Sequence, residues 1–439
     1  MPEQCDVAVI GGGPAGSTAA TFLSRRGYRV VVLEKDHHPR FHIGESLLPM
    51  NLPVFERLGV LEKVQTLGVF KPGADFEADN ERGYNTYRFE RAIGDSPPHA
   101  YQVWRQDFDQ MLFEHARASG ADGREGHRVV GVEQLDARDS RVEVCTDVGV
   151  TYQLQARYVV DASGRDAFLS AKKKLRRKNS QHQSAAIFGH FLGAQRRPGG
   201  DAGNISIYSF EHGWMWMIPL PSGVMSVGAV CRPDYLKQRT GSPREFLFET
   251  LERNVALWQR LRQAELIGSE VRVTGNYSYD SARMGAPGWV LIGDAFAFLD
   301  PVFSSGVYLA MSGAERAADV VDASLREPRR EHALLRRLER LQRAGMERFS
   351  FFIYRFNSPV MQRLFRKPRN TWQLEQAVIS MLAGDLFDTP RVLWRLKLFK
   401  LVYGLSALQD FRRWRAEHRY RMAQARARFS GGNTPLDAA

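Results

Sequence analysis

Cysteine is scarce in this chain. Its 439 residues include three, Cys5, Cys145 and Cys231. So odd and scattered a set excludes a disulfide framework and leads us to expect a reducing, cytoplasmic setting. No uninterrupted apolar run reaches the roughly 20 residues of a membrane-spanning helix, so no span is expected. No leader is expected at the N-terminus, because Cys5-Asp6-Val7-Ala8-Val9-Ile10 already reads as a strand feeding a glycine loop. Internal repeats and long low-complexity tracts are also lacking, which sets the repeat architectures aside. No metal site is expected.

What is present is ordinary in bulk and uneven in detail. Hydrophobic content of 44% and charged content of 25% suit a globular protein, and the length suits two or more subdomains. Lys and Arg number 61 against 49 Asp and Glu, a formal charge of +12. Much of that excess lies late, as in Arg412-Arg413-Trp414-Arg415 and Arg426-Ala427-Arg428. A basic surface of this kind steers acidic partners such as nucleic acid, anionic lipid or an acidic carrier protein, or is simply a solvated helix face.

The first chemical motif comes at once. Val7-Ala8-Val9-Ile10 is β-branched and apolar, and Gly11-Gly12-Gly13-Pro14-Ala15-Gly16 follows. A helix-like stretch runs to Arg26, then Arg29-Val30-Val31-Val32-Leu33-Glu34 reads as a second strand. This order predicts a dinucleotide-binding βαβ unit. Gly11 permits the tight turn, Gly13 lets a pyrophosphate approach the backbone, and Gly16 lets helix and strand pack closely. Pro14 and Ala15 open the helix whose N-terminus faces the phosphates. Glu34, with Lys35 beside it, closes the second strand where a carboxylate can accept ribose hydroxyls.

Two later segments decide between nicotinamide and flavin nucleotides. Tyr158-Val159-Val160-Asp161-Ala162-Ser163-Gly164 is a buried-type strand ending in an Asp/Gly turn. Val290-Leu291-Ile292-Gly293-Asp294-Ala295 is another, followed by Pro301 and Gly306. The trio resembles the glutathione-reductase-type FAD-binding fold of aromatic hydroxylases, geranylgeranyl reductases and flavin-dependent halogenases. That resemblance implies an α/β, Rossmann-like FAD-binding domain carrying an inserted β-rich substrate layer. It also implies that Asp294 holds the ribityl chain and that the helix after Gly306 points at the pyrimidine end of the flavin. Trp104-Arg105-Gln106-Asp107-Phe108-Asp109 resembles the Arg-x-x-Phe-Asp element, whose arginine lies over the cofactor. Ser46, Asp161 and Pro301 complete the expected FAD set. No second GxGxxG unit appears, so a separate flavin reductase is the expected partner.

Gly213-Trp214-Met215-Trp216-Met217-Ile218-Pro219 resembles the WxWxIP signature of flavin-dependent halogenases. The resemblance implies chemistry driven by reduced FAD and O2, in which chloride or bromide becomes hypohalous acid and travels to a separated substrate. Such chemistry needs a halide site, a barrier and a residue that tames the oxidant. Asp300-Pro301-Val302-Phe303-Ser304-Ser305-Gly306 offers backbone amides before a helix, an anion-binding arrangement. By resemblance Ser305 and Gly306 bind halide; otherwise these amides serve only the flavin. Trp214 and Trp216 share one strand face and can form the wall, unless they merely fill the core. Lys71, in Phe70-Lys71-Pro72-Gly73 after the family-like block Gly44-Glu45-Ser46-Leu47-Leu48-Pro49, is the expected catalytic lysine, provided it is buried.

One departure from the tryptophan halogenases narrows the substrate. Those enzymes carry a glutamate shortly before the halide-binding glycine, where this chain has Val302-Phe303-Ser304. This version resembles the phenol/pyrrole subgroup, which implies an already activated arene, free or tethered to an acyl or peptidyl carrier protein. A flavin hydroxylase or a geranylgeranyl-type reductase shares the same framework, and a scaffold flavoprotein is a further alternative.

The expected organisation is an FAD-binding domain from 1–65, 100–180 and 276–330, a β layer from 66–99 and 181–275, a helical subdomain over 331–430 and a disordered tail at 431–439. Ala186–Leu192 and Val224–Val230 read as strands of the β layer, with His190 as a base or, more simply, a structural residue. Leu334–Leu341 has amphipathic helical period. The aromatic helices beyond it cap the substrate, bind a carrier, lie on a membrane or pack as core; membrane association is the least expected of these.

Overall fold

The computed structural model describes residues 3–426 apart from 79–82, 180–182, 269–270, 276–277, 369, 388 and 410. The tail expected to be disordered at 431–439 lies outside the described residues.

The apolar run after the N-terminus becomes the central strand, Glu3–Ile10, of a parallel sheet. Val30–Leu33 and Thr151–Asp161 flank it, with Asp122–Arg124 and Trp289–Leu291 beyond them. Val7, Ala8, Val9 and Ile10 are all buried, as expected of strands covered on both faces. The helices Pro14–Ser24, Arg105–Ala118 and Gly306–Arg326 supply the cover on one side. Gly16 fits here for a steric reason: a Cβ on it would lie 1.9 Å from the carbonyl oxygen of Gly11. Thr151–Asp161 is long enough to serve twice. Its first half also pairs antiparallel with Asp139–Thr146, which continues into His127–Asp136 as a β arm.

A second sheet carries the two tryptophans. Its strand order runs Glu265–Leu266, Ala185–Leu192, Val224–Cys231, Gly213–Pro219, Ile205–Phe210, Gly73–Glu77 and Tyr84–Arg88. Alternation along Gly213–Pro219 divides its side chains between two cores. Trp214, Trp216 and Ile218 join one, while Met215 and Met217 join the other beneath the helices Pro243–Glu252 and Val255–Leu261.

Five helices follow: Glu331–Ile353, Pro359–Arg366, Leu374–Leu382, Pro390–Gln409 and Phe411–Arg426. Ser358 starts the second of them, its hydroxyl accepting from Met361 N at 3.3 Å. The aromatic-dense stretch from Phe349 to Phe365 is core. Phe356 and Phe365 bury their rings against Phe76 of the second sheet, at centroid distances of 5.9 and 5.0 Å. The three cysteines are unpaired.

Candidate active site

Between the glycine turn, the end of the parallel sheet and the tryptophan strand lies a cavity of about 520 Å³. Gly11, Gly13, Pro14 and Ala15 form its floor at the N-terminus of the first helix. The first amides of that helix have no carbonyl one turn earlier to bond, and they face this space. Glu34 and Lys35 line the same end; Asp294, Pro301 and Gly306 line the other. Arg105 and Ser46 lie along the wall, and Trp214 and Trp216 bound it from the second sheet. Gly16 and Asp161 stand behind the surface rather than on it. Gly16 closes the helix–strand contact, and Asp161 accepts from Ser163 N at 3.0 Å and Leu169 N at 2.7 Å, fixing the turn below the cavity.

The nucleotide end is charged and tightly bonded. Gly12 N donates to Glu34 Oε2 at 2.7 Å, and Asp36 N donates to Oε1 at 3.1 Å. Arg40, which no sequence motif signalled, reaches Glu34 at 3.3 Å and Asp109 at 3.6 Å. Its buried Nε has no partner among the described residues. Arg105 forks onto Asp109 with bonds of 2.8 and 2.9 Å. Burial alone would raise the Asp109 carboxyl, but the Arg105 charge and its hydrogen bonds hold it below the usual carboxylate range. At the far end burial pushes the Asp294 carboxyl up to about 6, with Arg165 and Arg105 opposing the rise.

The turn before the third helix has the geometry of an anion nest. Asp300 accepts from Val302 N at 3.2 Å, Ser304 is left-handed (φ 56°, ψ 27°), and Ser305 returns to right-handed (φ −80°, ψ −14°) before the helix starts at Gly306. Ser304 and Gly306 line the main cavity. Ser305 does not; it borders a void of about 20 Å³ behind the turn.

Lys71 is the most unusual group. It is fully enclosed and does not line the cavity. Its Nζ donates to Ser46 Oγ and to the Leu47 carbonyl, both at 2.8 Å, and sits 5.5 Å from the centroid of Phe89. Desolvation pushes the amine down to about 7. The Ser46 hydroxyl therefore separates the lysine from the cavity. Glu45, next in sequence, also lines the cavity and contacts His190 Nε2 at 2.6 Å. Trp214 and Trp216 are buried with their rings 5.7 Å apart, and Trp216 Nε1 donates to Ser226 Oγ at 3.1 Å. Gly228 makes room for this pair, because a Cβ there would meet the Trp216 ring at 2.6 Å. A glycine inside a strand is a readable sign of such close approach. Arg40, the Ser46–Lys71 bond and the Glu45–His190 contact have no comparable sign in sequence.

An elongated flavin dinucleotide suits this cavity. Helix-terminal amides and the unpartnered Arg40 Nε would suit a pyrophosphate at one end, and Asp294 and the Ser304–Gly306 turn line the end where a flavin ring would lie. The family described as FAD binding domain matches residues 4–345. A flavin-dependent halogenase of Armillaria mellea is 34% identical over 351 residues, 74% of this chain and 69% of its own length. The solved myxobacterial chondrochloren halogenase superposes with a TM-score of 0.76 at 30% identity, over 96% of this chain and 98% of that one. A flavoprotein/dehydrogenase from Cytophaga hutchinsonii superposes with a TM-score of 0.83 at 26% identity, over 93% of this chain and 100% of that one.

Proposed function

The chain belongs to the flavin-dependent halogenases, and we propose that it halogenates an activated arene, a phenol or a pyrrole, through Lys71. Reduced FAD, with O2 and chloride or bromide, supplies hypohalous acid. The protein must hold halide, keep the arene from the flavin and deliver the halogen.

The observation that carries this reading is the burial of Lys71 beside Ser46. A buried ammonium without a counter-ion is costly, so the neutral amine is populated near pH 7. A neutral amine can hydrogen-bond hypohalous acid. It can also exchange an N–H hydrogen for halogen, releasing water, and then pass the halogen to the ring while taking back the ring proton. Ser46, bonded to Nζ and facing the cavity, is the entry point.

Placement supports the other roles. The Ser305 and Gly306 amides hold halide at the head of the third helix, and the Trp214 and Trp216 rings keep the arene from the flavin. No carboxylate stands at Val302, Phe303 or Ser304 to assist an unactivated ring, which favours phenols and pyrroles. The chain's formal charge of +12 suits an acidic carrier protein bearing the substrate. A separate flavin reductase as the source of reduced flavin is in keeping with the one parallel nucleotide-type sheet among the described residues.

The test loads the protein with FAD, reduces it anaerobically and mixes it with O2, bromide or chloride, and a panel of phenols and pyrroles. Mass spectrometry should find a halide-dependent haloarene with the native chain. Lys71→Met should retain FAD and O2 consumption yet yield no haloarene. Retained halogenation in that variant removes the lysine from the mechanism.

A further inference from the structure

Pro390–Gln409 is apolar on two faces, and the fold uses one of them. Val392, Leu396, Phe399, Tyr403 and Ala407 are buried against the helices beside them. On the opposite face Leu401, Leu405 and Leu408 are 57, 56 and 66% exposed. Trp394 continues this row toward the N-terminus and Phe411 extends it into the next helix, both exposed. Positions 394, 401, 405 and 408 recur at the helical repeat, so they make one stripe of about 21 Å at the helical rise.

Trp372, 65% exposed, joins the stripe at its start. Arg395 holds the corner together: its guanidinium lies 4.3 Å over the Trp394 ring, and its Nε donates to the Trp372 carbonyl at 3.2 Å. Six of the fourteen large apolar side chains exposed among the described residues fall between 372 and 411. A run of this kind, four of the six on one helix, differs from the scattered exposed apolar residues that need no explanation.

Charge selects the occupant. Residues 390–426 carry ten Lys and Arg and two Asp and Glu, so +8 of the chain's +12 lies in this segment. A second copy placed face to face would bring two such segments together, and repulsion opposes that contact. An anionic surface is attracted, and the stripe needs no matching groove when the other side is lipid. Tryptophan at one end, leucines along the middle and arginines at the flanks are the composition of a helix lying in a membrane interface. Among the described residues no helix is long and apolar enough to cross a membrane.

We propose that the outward face of Pro390–Gln409, flanked by the basic helix Phe411–Arg426, docks the protein on an anionic lipid surface. The stripe sinks into the headgroup region while the arginines meet lipid phosphates and carboxylates. This inference is independent of the halogenation chemistry.

The test uses the full-length, FAD-loaded protein and sedimentable vesicles of phosphatidylcholine, with or without roughly 30% phosphatidylserine. The protein should partition to the anionic vesicles at least about tenfold better than to the neutral ones, and about 0.5 M salt should weaken this. A variant carrying Leu401→Ser, Leu405→Ser and Leu408→Ser should lose about tenfold in partitioning while keeping its FAD content and melting temperature, because these side chains are exposed. Failure to bind anionic vesicles, or equal binding by the variant, overturns the proposal. So does a dimer, seen by light scattering, that the same substitutions dissolve, since a second copy would then cover the stripe.

Discussion

Trp214 and Trp216 are buried in a strand between two cores, whereas Trp372 and Trp394 stand exposed around a single arginine. The inner pair is accommodated by other parts of the chain. Gly228 gives up its side chain to the Trp216 ring, and Ser226 satisfies the indole N–H. The outer pair has no such cover. Trp372 even takes a left-handed backbone (φ 54°) that a bulky side chain rarely adopts. Burial of an indole requires a fitted partner from elsewhere in the fold, and an exposed apolar row without one points outside the molecule.

The comparison breaks first at Lys71, the polar member of the inner region. Lys71→Met should lower halogenation by about a hundredfold or more while FAD stays bound, as steady-state kinetics and flavin absorbance would show. The same substitution has a pH signature. Burial lowers the folded-state amine from 10.5 to about 7, so between those values the unfolded chain binds more protons and native stability rises with pH. Below pH 7 the full cost of burying the ammonium is present. Lys71→Met should therefore be more stable than the native chain at pH 6, by about 2–4 kcal/mol, with the difference fading toward pH 10. Denaturant titrations at both pH values would show a slope in one protein and not in the other.

Smaller effects sharpen the same contrast. Gly228→Ala forces a methyl into the Trp216 ring and the Phe188 Cβ, and should cost about 2–3 kcal/mol in chemical unfolding. Ser226→Ala leaves the Trp216 N–H without its acceptor and should cost about 1 kcal/mol, with a shift in tryptophan fluorescence. Leu405→Ser, on the outer stripe, should change stability by less than about 0.5 kcal/mol. A large loss there would mean that the stripe supports the fold rather than an external surface.

Much of the nucleotide end was legible in the sequence. Gly16 answers a constraint set by Gly11, five positions away, Gly11 takes a left-handed backbone (φ 99°), and Glu34, Arg105, Asp294 and Gly306 all reach the cavity. Asp161, expected among the cofactor residues, accepts from two backbone amides of the turn below the cavity. Ser305 was expected at the halide site through its backbone amide; it lies in the turn before Gly306, beside a small void rather than on the main cavity wall. Arg40 could not be found, because its partners Glu34 and Asp109 are joined to it by the fold and by no repeat or motif. His190 read as a lone histidine; its partner Glu45 lies on a distant segment.

The sequence by itself determined the βαβ unit and the shared face of Trp214 and Trp216. Glycine sterics and the two-residue period of a strand act over neighbouring positions, whatever surrounds them. Only the tertiary structure decided that Lys71 is buried against Ser46 and Phe89 and that one face of Pro390–Gln409 is left uncovered. Desolvation depends on which distant segments close over a group, and no local pattern encodes that closure.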